Sequence, residues 1–411
     1  MLNLKKIDQG HIIWVISNQG ILRILVALKF LVIARFFGPQ AMGEFALILL
    51  IIAFAESVTE FGFNYSIVSK KERVTSQQLD LVWTISILRG IVICILIIVT
   101  SYFYLDFSNQ LDIFSSCLII SMVPIIKSMI NPENFIAYRN KIFKKIFLWN
   151  LIATVFDIVL STATVYYTKS LFYLAVIMLV SELIRCLSSF YFFKGKRRLS
   201  FKFHYIADEL NYGKWIWKSS IVTYLVNQLD KFVIPILMGN SAFGGYQATN
   251  KLAQFGLSDF SQFVNMYFFP HIAEKKRQSN KQLRSYVKKI YMICSILVIP
   301  SAIILIIFSG QIITLTIGDQ YLKYRTVYII HVLSMTFGVY MAINVTISRA
   351  IGVPEIITKI CYIQLAILAT LLFLVYIFKG SILTIASSFF ISLFVSVFYI
   401  VFLLSKKLKK G

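Results

Sequence analysis

The sequence predicts an all-α polytopic membrane protein of about 12 transmembrane helices in two parallel six-helix bundles. Three observations carry that reading. The first is composition. A chain of 411 residues that is 58% hydrophobic, 14% charged and has a mean hydropathy of +0.77 cannot be a soluble fold of that size. A span needs about 20 apolar residues. Stretches of that kind recur near 12–36, 41–68, 80–105, 113–130, 146–168, 171–193, 213–238, 242–272, 286–308, 326–348, 356–378 and 381–404.

The second observation is where the formal charge of +23 resides. Lys70, Lys71 and Arg73 follow the second stretch, Arg139, Lys144 and Lys145 the fourth, and Lys194, Arg197 and Arg198 the sixth. Lys275, Lys276, Arg277, Lys281 and Arg284 follow the eighth, and Lys406, Lys407, Lys409 and Lys410 close the chain. The loops between hold only Lys169, Lys323, Arg325 and Lys379, beside Asp106, Asp112 and Asp319. This alternation is the positive-inside pattern and places both termini in the cytoplasm. It also argues against nucleic acid as the partner. The third observation is internal symmetry. A shift of 201 residues brings Trp14 onto Trp215, Gly38 onto Gly239, Gly43 onto Gly244 and Ser57 onto Ser258. The longest polar interruption, residues 196–212, divides an N-terminal half (1–195) from a C-terminal half (213–411). Both halves start in the cytoplasm, so the repeat is parallel, and such repeats favour a site at their interface near mid-membrane.

Taken in order, the first span carries Arg23 and Lys29, lacks a small-x-small cleavage site and reads as a retained helix rather than a signal peptide. Gly38 and Pro39 end it. Glu56, Glu60 and Asn64 share one face of the second span. Arg89 lies about ten residues into the third, or about 15 Å deep. Asn131-Pro132-Glu133 reads as a helix start with proline at the first helical position, leading into an interfacial helix or a plain basic loop. Asp157 falls mid-span in the fifth helix, and Glu182 and Arg185 on the sixth are spaced to neutralise each other. On the seventh, adjacent Asp230 and Lys231 point to different faces, with a partner for Asp230 expected on the first helix. Tyr340, Asn344 and Ser348 share a face of the tenth, while His331 reads as a packed or wetted interfacial residue. Five scattered cysteines have neither metal nor redox spacing and read as packing residues.

The eighth span is the exception to a lipid-facing helix. Gln247, Asn250, Lys251, Gln254, Ser258, Ser261, Gln262 and Asn265 follow the spacing of one helix face. A charged side chain facing lipid at mid-bilayer costs roughly 2.5–3.5 kcal/mol. A stripe this long therefore predicts a watered, protein-lined interior and a transporter, not merely polar glue between static helices. By depth, Arg23, Arg89 and Lys251 rank first among embedded cations. Lys29 and Lys231 lie in the outer half, and Lys127 and Lys218 are shallow enough to snorkel.

Three stretches resemble one family, the Wzx-type polysaccharide-repeat flippases of the MATE/MOP exporter superfamily. ARFFGPQAMGEF, with the helix ending in Glu60-Phe61-Gly62, is similar to the family's Arg–x–x–Gly–Pro turn and acidic–Phe–Gly end. NQLDKFVIPILMGNSAFGGYQATNKLA is similar to the element that opens the second half, and IGDQYLKYRT with ISRAIGVPE to the approach to helix ten and the glycine beyond it. The resemblance implies two six-helix bundles around a cavity that opens alternately to each face. It implies a cargo of oligosaccharide on undecaprenyl pyrophosphate (an O-antigen or exopolysaccharide unit), carried from the inner to the outer leaflet of the bacterial cytoplasmic membrane. Under that reading Arg23, Lys29, Arg89, Lys231, Gln247, Asn250, Lys251 and Gln254 face the substrate. Glu56, Glu60, Asp157, Asp230 and Asp259 couple a proton or sodium gradient, or act as counter-ions for Arg23, Arg89 and Lys251. Membrane lipids, a polysaccharide polymerase and a chain-length regulator are the further partners, with no cofactor, metal or catalytic residue. Two rivals stand beside it: a multidrug/cation antiporter of the same superfamily, which would need an acidic cavity, and a membrane glycosyltransferase or polymerase, which would need long extracytoplasmic loops.

Overall fold

The computed structural model describes residues 9–59, 75–107, 113–140, 142–195, 197–201, 207–263, 268–353 and 355–410. The described residues are helical apart from turns, the irregular stretch at 193–195 and 197–201, and one 3₁₀ segment, Asp319–Tyr324. The α-helices are α1 (Gln9–Val58), α2 (Ser76–Phe107), α3 (Phe114–Ser121), α4 (Val123–Ser128), α5 (Glu133–Arg139), α6 (Phe143–Thr168), α7 (Leu171–Phe192), α8 (Ala207–Phe263), α9 (Phe269–Gln278), α10 (Asn280–Ile307), α11 (Ser309–Thr316), α12 (Arg325–Ala350), α13 (Glu355–Ile377) and α14 (Ile382–Lys410). Among the described residues eight helices are long and apolar enough to cross a membrane, or nine if the run through α3 and α4 is joined to α5 across a 59° bend. The protein is a multi-pass membrane protein.

Two of the helices, α1 and α8, are each two helices joined across a break. α1 breaks at Gly38 (φ 74°, ψ 175°) and α8 at Gly239 (φ 78°, ψ 174°). The two angles pairs are nearly the same, at positions that the 201-residue shift superposes. A backbone with φ in this range is open to glycine and strained for other residues. Pro39 follows the first break, where its missing N–H removes a donor that would have no helical partner anyway.

The chain divides into two compact units, Met1–Phe37 with Leu47–Ile221, and Gly38–Ala46 with Val222–Gly411. The division falls inside α8, later than the start of the second half at residue 213, and it assigns the beginning of the second span to the C-terminal unit. In the N-terminal unit, α6 packs on α7, α2 lies against α3 and α4, and both of these meet α7. Trp149 and Phe193 pack edge to face at 5.2 Å, beside buried Ile146 and Ala137. In the C-terminal unit α12 packs against α14 and α10, and α13 against α14. Phe337 of α12 contacts Phe390, Phe394 and Phe398, which stand one turn apart on α14.

The polar segment after α7 binds back onto the N-terminal unit. Arg197 has only 3% of its side chain exposed; it pairs with Asp80 of α2 at 3.3 Å and with Glu133 of α5. Asn131 donates to the carbonyls of Phe193 (2.6 Å) and Gly195 (3.3 Å), and the Ser200 N–H donates to Thr84 at 2.9 Å. Part of the basic loop is thus a buried strap. α5 does begin at Glu133, but Pro132 sits at its N-cap, and the Asn131 side chain accepts the Glu133 N–H. The helix ends at Arg139, so it covers only the start of the expected interfacial helix.

Within the C-terminal unit, residues 39–46 cross the start of the helix after Gly239 in backbone contact. A Cβ on Gly43 would lie 1.9 Å from the Asn240 carbonyl oxygen, and one on Gly244 1.8 Å from that of Pro39. Tyr324 closes over the same place, donating to the Ser241 carbonyl at 2.8 Å while its ring occupies the space a Gly245 side chain would need. Overpacking a tight contact costs roughly 1–3 kcal/mol. Gly43→Ala and Gly244→Ala should therefore each lower the thermal unfolding temperature of the purified protein, while Gly338→Ala, which meets nothing within 4 Å, should not. Equal melting temperatures in all three would refute the close crossing.

Candidate functional site: embedded charges in each unit

In the N-terminal unit the first half of α1 meets α6 through an ion pair. The Lys29 ammonium lies 2.8 Å from both carboxylate oxygens of Asp157, and Ser161, one turn further along α6, donates to the same group at 3.3 Å. Their side chains are 11% and 21% exposed. Asp157 therefore serves as the counter-ion of Lys29. The reason is geometric: Lys29 is the cation whose reach α6 places against that carboxylate. Glu56 likewise pairs with Lys127 at 2.8 Å, while its backbone carbonyl accepts from the Arg89 guanidinium at 3.2 Å. Arg89 also donates to Thr59 at 3.3 Å. Glu182 and Arg185 approach to 3.7 Å, too far for a hydrogen bond. Arg23 lies part-buried on the first half of α1.

Arg89, Lys127 and Glu56 line a cavity of about 310 Å³ between α2, the end of the second span and the bend from α4 to α5. Trp83 and Phe135 flank it, and Asn134 lies in its wall. The bend leaves the Met129 carbonyl outside the regular ladder, and the Trp83 indole N–H caps it at 3.1 Å, which fixes the indole against α4.

The C-terminal unit holds its polar groups on α8, α10 and α12. Asp230 accepts from the Tyr246 hydroxyl in the next segment of the same helix. A fully buried tyrosine needs an acceptor for its hydroxyl, and Asp230 is the group that α8 folds onto it. The other Asp230 oxygen is buried without a partner. Lys231 donates to the Asn227 carbonyl at 2.6 Å, and Lys251 to Gln254 at 3.1 Å. The Asn250 side-chain amide meets Nδ1 of His331 at 3.3 Å, and Nε2 of the ring is buried. His331 also stands edge-on to Tyr246 at 4.4 Å and is 1% exposed, so it is packed rather than wetted. Sequence reasoning missed this Tyr246–Asp230–His331–Asn250 cluster because the break at Gly239 folds α8 back so that Asp230 meets Tyr246, and His331 comes from α12. Tyr291 donates to Asn344 at 2.7 Å and Ser295 meets Tyr340 at 2.8 Å, so the polar face of α12 is tied to α10.

Gln247 is part-buried on α8. Glu60, Asn64 and Asn265 lie outside the described residues, as do the side chains of Asp259, Ser258, Ser261, Gln262 and Lys218.

Comparison with known proteins joins this geometry to a family. The family model described as polysaccharide biosynthesis protein matches residues 32–326, from the first half of α1 into α12. The chain belongs to the polysaccharide biosynthesis protein family. A curated member, lipopolysaccharide biosynthesis protein WzxC of Escherichia coli (strain K12), is 23% identical over 292 residues, 71% of this chain and 59% of that protein. The chain thus matches under two thirds of that relative's length. The probable low-salt glycan biosynthesis flippase Agl15 of Haloferax volcanii is 26% identical over 112 residues, 27% of this chain and 24% of its own. Among solved structures, lipid II flippase MurJ superposes with a TM-score of 0.75 at 16% identity, covering 96% of this chain and 87% of that one. A multidrug resistance MATE transporter of the MOP superfamily superposes at 0.71 and 13% identity, covering 98% and 99%. This family member therefore has the MATE/MOP fold.

The Lys29–Asp157 pair makes a direct test of the charge layout. Removing one partner strands a part-buried charge, whereas removing both does not. The double variant should destabilise the family member less than the sum of Lys29→Met and Asp157→Asn, with a coupling of roughly 0.5–3 kcal/mol in a double-mutant cycle. Simple additivity would mean that the pair does not hold α1 to α6.

Proposed function

We propose that this protein carries a lipid-linked oligosaccharide across the bacterial cytoplasmic membrane, from the inner leaflet to the outer, by alternating access. The observation that supports it best is the charge inventory of α8. Lys231 and Lys251 are embedded there, while Asp230 is engaged by Tyr246 and does not neutralise either through a direct contact. Two part-desolvated ammonium groups on one helix suit an anionic headgroup. A pyrophosphate bridging lipid and glycan is such a group, and lysines bind it as point charges. Hydrocarbon excludes both the pyrophosphate and the sugars, because their polar groups lose water without replacement partners. Lysines and amides along the path supply those partners, and the polyprenyl tail remains in the bilayer. The names of WzxC, Agl15 and MurJ point to the same cargo class. Undecaprenyl pyrophosphate is the carrier we assign, with the termini on the cytoplasmic side.

The unpartnered Asp230 oxygen is the group we assign to the driving cation, proton or sodium. An antiporter of organic cations is disfavoured by the two lysines, which would repel such a cargo from the helix that carries Asn250 and Gln254.

In a strain whose surface polysaccharide depends on this gene, Lys251→Ala and Arg89→Ala should reduce export at least tenfold, with lipid-linked oligosaccharide accumulating on the cytoplasmic leaflet and the protein still in the membrane. Lys251→Arg should keep most of the export. Normal surface polysaccharide in both alanine variants would remove the cationic assignment.

A further inference from the structure

Three carboxylates in the spans of the N-terminal unit stand beside a cation, and only two of these pairs are closed. Lys29 lies 2.8 Å from Asp157, and Lys127 2.8 Å from Glu56. Glu182 and Arg185, on α7, stop at 3.7 Å, about 1 Å longer than a charge-assisted hydrogen bond. Oε1 of Glu182 is buried without a hydrogen-bond partner, and so is the Arg185 Nε–H. Reach does not explain the gap, because residues three apart on a helix are neighbours. Water does not fill it from an open surface either: Glu182 lies midway along α7, with 15% of its side chain exposed. A buried acceptor left without a donor costs roughly 1–3 kcal/mol. An ionised group at mid-bilayer depth costs roughly 2.5–3.5 kcal/mol. A bound proton removes the second of these costs.

The surroundings suit exchange of that proton rather than permanent neutrality. Charged groups act on Glu182 from each side: Arg185 on its own helix, Lys127 on α4, Asp157 on α6 and Glu56 on α1. Cys186 stands beside it on α7, and α3, which also packs on α7, brings only Cys117 as a titratable group. Lys127 is already held by Glu56, and Asp157 by Lys29. Arg185 is therefore the cation that Glu182 can take without breaking a closed pair. A metal ion fits the place poorly. It would meet Arg185 and Lys127, and it needs several oxygen ligands. Among the described residues no group of three His, Cys, Asp or Glu could hold one. A proton needs a single oxygen.

We infer that Glu182 takes up and releases a proton, and that Arg185 closes on it when the proton leaves. Uptake forms one O–H bond on the carboxylate from a hydronium ion, which departs as water, and release reverses this. The site is argued from the ion pairs of one unit. Its use, to drive export beside the cation group assigned at Asp230, rests on the transport reading.

Two measurements on the purified full-length protein in detergent test it. Dicyclohexylcarbodiimide enters apolar sites and adds to a protonated carboxylic acid, giving an N-acylurea that mass spectrometry locates. Glu182 should be labelled, and Glu56 and Asp157, each held by a lysine, roughly tenfold less. Equal labelling of the three, or none on Glu182, would overturn the proposal. Infrared difference spectra between acidic and alkaline buffer should show a carboxylic-acid carbonyl band that Glu182→Gln removes. In Arg185→Gln the loss of that band should move to more alkaline buffer, by roughly tenfold or more in proton concentration, because the cation that favours ionisation is gone. A band that survives in Glu182→Gln would overturn the site, and an unmoved transition in Arg185→Gln would overturn the exchange. Neither assay uses cargo. A proton on Glu182 in a protein that exports no glycan sinks the transport reading and keeps the site, and export with Glu182 unlabelled does the reverse.

Discussion

Hydrocarbon cannot replace the water that a charged side chain gives up, and that constraint shapes this protein more than any single contact. A lysine, arginine or carboxylate placed at mid-bilayer costs roughly 2.5–3.5 kcal/mol on insertion scales if it has no partner. This chain places several within its spans. Lys29 is matched by Asp157, Lys127 by Glu56, and Arg89 by a threonine hydroxyl and a backbone carbonyl. Apolar residues such as Ile303 and Phe398 take the exposed positions instead. A protein with no use for polar groups in its spans would dispense with them. Apolar replacements of similar volume are often as stable or more so. Their presence in matched sets on several helices is what a polar cargo requires.

The same economy governs the backbone. Two spans turn through a glycine each, at φ near +75°, and two further glycines let helices cross with backbone against backbone. Gly38 and Gly239, and Gly43 and Gly244, are pairs under one internal shift, so each half brings the same turn and the same small residue to the crossing. Close helix contact through small residues is how membrane helices gain packing without a hydrophobic drive. Here it sits beside Tyr324, which seals the crossing with a hydrogen bond to Ser241.

Much of the architecture was legible because its causes are local in sequence. Apolar length specifies the long helices, and the glycine–proline turn announces the break in α1. The pairings were not legible, because they join distant positions. Depth made Glu56 a candidate counter-ion for Arg89, yet its carboxylate is held by Lys127. Asp230 looked to the first helix and found Tyr246, sixteen residues along its own. Arg197 read as one charge of a solvated basic loop and is buried between Asp80 and Glu133. Which of several cations reaches a given carboxylate depends on helix rotation, and the sequence does not state rotation.

The central claim is that the polar face of α8 meets water inside the membrane while its neighbours' apolar faces meet lipid. Single cysteines at Gln247, Gln254, Ile303 and Phe398, in a variant lacking the five native cysteines, would measure this through labelling by a charged, membrane-impermeant thiol reagent. The account predicts rapid labelling at Gln247 and Gln254, slowed by added lipid-linked oligosaccharide, and little at Ile303 or Phe398. Protection of all four positions, or equal labelling of all four, would contradict it.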